Sequence, residues 1–275
     1  MRVVVTGASG NVGTAFLRAV ASHEQGWTVT GIARRRPPDH PPFTVADWVL
    51  CDLGAEEATE PLREALSGAD ALVHLAWAIQ PGVTEASLHR TNITGTRRVL
   101  RLVAEAGTPQ LVYVSSVAAY APAPRSSRVD ENHPCTGIPG SAYSQDKARL
   151  EWMISDFVEQ SPGTLVAGAR PAAVVQREAG AEFARRVLSP LIPPKLLGLR
   201  VLPIPLWRSL RAQIVHAEDV AEALWSMLTR QAHGPFNLAA EPVLTADDLA
   251  AERDLRKLGP GDSRRDHPGV EHLLD

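Results

Sequence analysis

Thr6-Gly7-Ala8-Ser9-Gly10-Asn11-Val12-Gly13 follows directly on the apolar run Val3-Val4-Val5 and opens a stretch whose apolar face is Val12, Ala15, Phe16 and Ala19. A short β-branched run, a glycine-rich turn and then helical spacing make a strand–loop–helix unit. That context carries more weight than the three glycines. A phosphate needs free backbone N–H groups at a helix N-terminus, close approach of a chain without Cβ atoms, and tight packing of helix on strand. Glycines here supply these conditions, so Gly7, Ser9, Gly10, Asn11, Val12 and Gly13 are candidates for holding a dinucleotide.

Working outward, the pattern repeats. Apolar runs at Trp27 to Ile32, Trp48 to Cys51, Ala71 to Leu75, Leu111 to Val114 and Thr164 to Ala169 alternate with amphipathic stretches, about six βα repeats in all. The runs are apolar throughout, as in parallel strands covered on both faces. The expected class is therefore α/β, a Rossmann-type doubly wound parallel sheet. The stretch from Thr84 to Ala106 has helical spacing at Leu88, Val99, Leu100 and Val103, and Gly107 suits the position just past its end. Ser141 to Gln160 is helical with Leu150, Ile154 and Phe157 on one stripe. Regularity fades after Arg170, and Val187 to Trp207 holds five prolines among many leucines, which reads as a substrate lobe or lid. Gln213 to Val215, Glu218 to Thr229 and Pro235 to Leu238 resume strand, helix and strand. The final 25 residues carry 11 charges and little periodicity. Residues 1–170 are thus expected to form the dinucleotide domain, rejoined by about 213–232. Residues 171–212 and 233–250 are expected to form the lobe, and 251–275 a disordered tail.

Composition narrows the partners. At 275 residues with 44% hydrophobic and 21% charged side chains, the chain suits a globular protein with a substantial core. A net charge of −3 supplies no basic field to gather nucleic acid or anionic lipid. Cys51 and Cys135 are too few for a disulfide framework and have no zinc-site spacing, so no metal is expected. No secretory leader and no apolar run of membrane-spanning length is read, and a cytoplasmic protein is expected.

The run after the second strand, Ala33-Arg34-Arg35-Arg36, lacks the acidic residue that commonly meets an adenosine ribose. Arg34 and Arg35 could instead hold a 2′-phosphate through charge-assisted bonds. NADP(H) is the preferred cofactor on this reading, with NAD(H) the alternative.

Tyr143 and Lys147 lie four apart, one turn along a helix face, and continue the Leu150, Ile154, Phe157 stripe. A lysine on a core-facing stripe needs a partner or a task. Its ammonium beside the phenol would favour the phenolate, making a proton donor and acceptor. Ser115 and Ser116 come at the C-terminal end of the strand Leu111 to Val114, where open α/β sheets bind ligands.

With these residues the sequence resembles the extended branch of the short-chain dehydrogenase/reductase superfamily, the NAD(P)-dependent epimerase/dehydratase family. Val5 to Gly13, Val73-His74-Leu75-Ala76-Trp77, Asn92-Ile93-Thr94-Gly95-Thr96, Tyr113-Val114-Ser115-Ser116 with Tyr120, Tyr143 to Lys147, Arg170-Pro171 and Val215 to Val220 carry the likeness in family order. The resemblance implies that Tyr143 is the catalytic acid/base, that Lys147 binds the nicotinamide ribose and tunes Tyr143, and that Ser116 polarises substrate, with Ser115 beside it. It implies that Asp52 and Leu53 meet the adenine, that Leu75 and Ala76 pass under the cofactor, and that Pro171 adjoins it. Asn92 on its apolar stripe is read as pinning neighbouring backbone more than as catalytic, and His74 and His216 as structural. Trp77 stands where the family has a small residue and either narrows the cleft or fills the core. The chain offers less after Asp219 than nucleotide-sugar enzymes of the family usually carry, so a small C-terminal substrate lobe is expected, and whether it is truncated or complete stays open.

The implied activity is hydride transfer at an alcohol or carbonyl carbon of a small polar metabolite or nucleotide sugar. Net redox change, epimerisation and dehydration stay open. A non-catalytic NAD(P)-binding sensor or scaffold is the alternative, and homodimerisation follows from the resemblance alone.

Overall fold

A computed structural model describes residues 1–23, 26–79, 84–124, 127–176 and 211–248. Seven parallel strands form the central sheet: β1 (Arg2–Thr6), β2 (Thr28–Ala33), β3 (Ala46–Leu50), β4 (Ala71–His74), β5 (Gln110–Val114), β6 (Leu165–Pro171) and β10 (Gly234–Leu238). Their spatial order is β3-β2-β1-β4-β5-β6-β10. The helices are α1 (Asn11–His23), α2 (Thr59–Leu66), α3 (Glu85–His89), α4 (Thr96–Ala106), α5 (Ala142–Gln160) and α6 (Ala217–Thr229).

The continuous apolar runs are explained by cover on both faces. Successive strand side chains point to opposite sides. Val3 and Val5 join Val73, Val112 and Ala167 in one cluster with Phe16 of α1 and Leu224 of α6. Val4, Leu72 and Leu111 face the other way and pack with Leu62 of α2, Val103 of α4 and Leu150 of α5. The sheet is doubly wound, as the alternation of runs implies.

From β1 the chain winds outward through β2 and β3, then returns to set β4 on the other side of β1. That reversal leaves a crevice beyond the C-terminal ends of β1 and β4, the usual ligand position in such sheets.

Two details depart from the sequence reading. Residues 233–250 were assigned to the lobe, yet Gly234–Leu238 pairs in parallel with β6 and completes the main sheet. Pro235 fits there because an edge strand needs no N–H on its solvent side. Thr84 to Ala106 is also not one regular helix: α3 and α4 are joined by a wider π-type turn from Arg90 to Gly95. Periodicity is blind to one extra residue in a turn.

Small pairings lie outside the main sheet. β7 (Ala173–Val175) runs parallel to β9 (Ile214–His216), and β8 (Arg211–Ala212) is antiparallel to β11 (Leu244–Thr245). The proline-rich stretch Val187 to Trp207 and the tail 251–275 lie outside the described residues.

Gly107 closes α4 with φ +62°, and the Thr108 amide donates to the Val103 carbonyl at 3.2 Å. An L-residue in that left-handed conformation is strained by about 1 kcal/mol. Gly107→Ala is expected to lower stability by about that amount in urea unfolding, with the slope of the transition unchanged.

Candidate active site

The crevice begins with a backbone contact. Gly7, at φ +69°, lies so close to the chain leaving β4 that a Cβ on it would sit 2.7 Å from the Ala76 nitrogen and 3.0 Å from the Leu75 carbonyl carbon. A Cβ on Gly13 would likewise strike the backbone of Gly7 and Ala8. The loop is cinched by Gly7 N–H donating to the Ile32 carbonyl (3.0 Å) and Gly10 N–H to the Gly7 carbonyl (2.9 Å). Ser9 and Gly10 are exposed, and the first turn of α1 carries no acidic residue. The positive end of α1 is therefore open to an anion. Val12 packs on the core and fixes the helix behind the loop.

Thr6 at the end of β1 continues inward. Its hydroxyl lies 2.7 Å from His74 Nδ1, and His74 Nε2 lies 3.0 Å from the Thr96 hydroxyl. Burial drives the His74 pKa down to about 3, with the Lys147 charge adding to the fall. His74 is a neutral bridge between β1, β4 and α4. His216 accepts from the Glu218 amide at the start of α6 (3.3 Å). Both histidines serve structure. Asn92 does so too: its Oδ1 accepts from Ala78 N–H (2.7 Å) and its Nδ2 donates to the Ala78 carbonyl (3.0 Å). It pins the loop after β4.

Ser141 caps α5 by accepting from the Ser144 amide. Ser144 Oγ donates to the Ala118 carbonyl (2.5 Å) and accepts from Ile138 N–H (2.6 Å). These bonds tie the first turn of α5, which bears Tyr143, to the short turn Val117–Ala119 that follows Ser116. Ser116 Oγ accepts from Ala118 N–H (3.1 Å) and lies 3.4 Å from the Pro171 carbonyl. Serine and tyrosine are thus carried by two directly bonded segments. Ser115 is buried, and its hydroxyl has no hydrogen-bond partner among the described residues.

Tyr143 is 38% exposed, whereas Lys147, one turn on, is 2% exposed. The Lys147 ammonium donates to the Val114 carbonyl at 3.0 Å. Burial pushes its pKa down to about 7, and the Glu151 charge opposes the fall.

At the adenosine end, Arg34, Arg35 and Arg36 are exposed and make no ion pair among the described residues. Asp52 Oδ1 accepts from Gly54 N–H (3.0 Å) and its Oδ2 lies 3.9 Å from Arg90, while the buried Leu53 gives its carbonyl to Arg98. Cys51 N–H donates to the Ala33 carbonyl (3.0 Å), so Asp52 and the arginine run leave adjacent strand ends. Among the described residues no cluster of His, Cys, Asp or Glu could hold a metal ion.

Glu151, and the bonds that link it to Arg170, Tyr113 and Tyr120, escaped the sequence reading. Glu151, one turn past Lys147, is buried and takes a two-pronged ion pair from Arg170 (Nε to Oε1 3.0 Å, Nη2 to Oε2 2.7 Å). Tyr113 donates to the same carboxylate (3.0 Å). Arg170 Nη1 reaches the Tyr120 hydroxyl and the Glu131 carbonyl, each at 2.9 Å, and Tyr120 donates to Asn237 Oδ1 (2.7 Å). This chain of bonds couples α5 to β5, β6 and β10 beneath the site. A carboxylate four residues after Lys147 on a buried stripe was the available signal.

Fold and site together define a dinucleotide-binding α/β protein of the extended short-chain dehydrogenase/reductase type. The chain belongs to the NAD dependent epimerase/dehydratase family, whose profile matches residues 3–239. A relative from Stigmatella aurantiaca is a 4-hydroxy-2-methyl-3-oxo-4-farnesyl-3,4-dihydroquinoline-1-oxide ketoreductase. It is 31% identical over 171 residues, 62% of this chain and 49% of the relative. An N-acetyl-alpha-D-glucosaminyl-diphospho-ditrans,octacis-undecaprenol 4-epimerase from Escherichia coli O157:H7 is 28% identical over 161 residues, covering 58% of this chain and 44% of that protein. The chain thus spans about half, or less, of these relatives' lengths. Among solved structures, a UDP-glucuronic acid 4-epimerase from Bacillus cereus in complex with NAD superposes with a TM-score of 0.74 at 18% identity, over 94% of this chain and 85% of that one.

Removing one partner of the Glu151–Arg170 pair leaves a buried charge unmatched, at about 3–5 kcal/mol. Glu151→Gln is expected to lose that much stability in urea unfolding. The double variant Glu151→Leu/Arg170→Leu is expected to lose less than Glu151→Gln alone.

Proposed function

We propose that the chain is an NAD(P)-dependent oxidoreductase or epimerase acting at an alcohol or carbonyl carbon, with Tyr143 as the proton-transferring group. The carrying observation is the turn of α5 that sets a half-exposed Tyr143 above a buried Lys147 ammonium at the C-terminal end of β5, bonded to the segment bearing Ser116. The glycine cradle that any Cβ would fill, the open N-terminus of α1 and the Ser115 hydroxyl, unpartnered among the described residues, all fit a dinucleotide and its substrate. When bound, the nicotinamide supplies the hydride acceptor or donor.

The residues would divide the remaining work. Gly7, Ser9, Gly10, Asn11, Val12 and Gly13 hold the diphosphate, Asp52 and Leu53 the adenine, and Leu75, Ala76 and Pro171 the floor and rim of the nicotinamide pocket. Lys147 binds the ribose and favours the phenolate of Tyr143. Ser116 orients the substrate oxygen, and Tyr143 gives it or takes from it a proton. A nucleotide sugar or a small polar ketone is the substrate class, in keeping with the ketoreductase and the 4-epimerases to which the chain is similar. The substrate lobe is assigned to the segments around β7, β8, β9 and β11. A homodimer formed through α4 and α5 would cover Trp152 and Val158, which stand exposed on α5. A cytoplasmic setting suits such substrates, and among the described residues no helix is long and apolar enough to cross a membrane.

NADP(H) is preferred on the strength of Arg34 and Arg35, which have no carboxylate partner among the described residues and leave the end of β2. In calorimetric titrations NADPH is expected to bind more tightly than NADH, and Arg34→Ala/Arg35→Ala is expected to weaken NADPH by about tenfold or more while leaving NADH nearly unchanged. Equal affinities in the wild type would remove the preference, and tighter binding of NADH would reverse it.

Tyr143→Phe is expected to retain cofactor binding and lose turnover by about two to four orders of magnitude in a screen of nucleotide sugars and carbonyl substrates. Undiminished turnover would remove Tyr143 from the chemistry.

A further inference from the structure

Trp77, where the family has a small residue, occupies a defined place. Its indole ring lies with the Lys147 Nζ 3.7 Å from the ring centroid. The neighbours of Trp77 are fixed: Ala76 against Gly7, and Ala78 held by both ends of the Asn92 carboxamide. These contacts fix the backbone from which the indole projects toward Lys147.

The surroundings of Lys147 show why a π face matters there. Glu151 stands one turn along the same helix, but both of its oxygens are engaged by Arg170. His74 on β4 is a neutral bridge, Tyr143 precedes on α5, and β5 offers the Val114 carbonyl. Among the described residues, then, no uncommitted carboxylate faces the ammonium. An aromatic face attracts a cation through its ring quadrupole, most strongly for tryptophan and where water is excluded. An ammonium has three N–H groups. One is taken by Val114 and a second direction by the indole, so one remains.

We propose that Trp77 is a positioning residue whose indole face fixes the Lys147 ammonium and leaves a single N–H direction for the nicotinamide ribose. The second half of this inference rests on the cofactor reading above, and the first half does not.

The chain contains three lysines, Lys147, Lys195 and Lys257. Carbon-13 labelling at lysine Cε thus gives three NMR signals in the full chain without cofactor, and Lys147 is the one missing from Lys147→Met. In the wild type its ε-protons are expected upfield of the other two, shifted by the indole ring current, with a titration at or above about 7. Trp77→Phe is expected to keep both features. Trp77→Leu keeps apolar cover but has no π face, and is expected to lose the upfield shift and to titrate about one unit lower. At pH 7 its NADPH and NADH affinities are expected to fall by about tenfold.

Absence of the upfield shift in folded wild type, or an unchanged or higher titration in Trp77→Leu with the remaining amide spectrum intact, would overturn the contact. If folded wild type binds neither cofactor, the functional reading and the ribose half of the proposal fail together. The cofactor-free titration still decides the contact itself.

Discussion

The near-collision between Gly7 and Ala76 is the constraint on which the site depends. It occurs where the chain reverses its winding, so the loop after β1 and the segment after β4 meet with no side chain between them. Because Gly7 has no Cβ, the start of α1 can sit directly over the sheet edge and leave its amides facing outward. The hydrogen bonds that follow, from Gly7 to Ile32 and from Leu75 to the Thr6 carbonyl, hold three adjacent strand ends at one level.

Around that contact the interior is threaded by polar groups that an apolar core would not need. Thr6, His74 and Thr96 make one bridge, and Glu151, Arg170, Tyr113 and Tyr120 make another. Desolvation keeps His74 neutral and holds the Tyr113 phenol well above its ordinary pKa. His74 therefore stays neutral and the Tyr113 phenol stays protonated across the physiological range. Lys147, lying between the two bridges, is buried just as deeply yet brought close to neutrality, which leaves it sensitive to what approaches it.

How much was legible in the sequence follows from how local each feature is. The glycine loop, the Tyr143–Lys147 turn, the close of α4 at Gly107 and the buried strand runs each declare themselves within a few residues. The pairing of Glu151 with Arg170 joins a helix to a strand 19 residues away, and each alone reads as an ordinary charge. The contact of Trp77 with Lys147 joins positions far apart in the chain. The wide turn at Arg90 to Gly95 was hidden because one extra residue barely perturbs the apolar spacing around it. Gly234–Leu238 was recognisable as a strand, but nothing within it says which sheet it joins.

Asn92 also has a wider meaning. Its carboxamide offers a donor and an acceptor in the arrangement of a peptide group, and both engage the same residue, Ala78. The chain emerging from β4 is thus given the bonding of a neighbouring strand by one side chain. A real strand would roof over the crevice with its own backbone and side chains. A surrogate peptide group reaching in from the helix layer keeps the floor of the crevice in order and leaves the space above it clear.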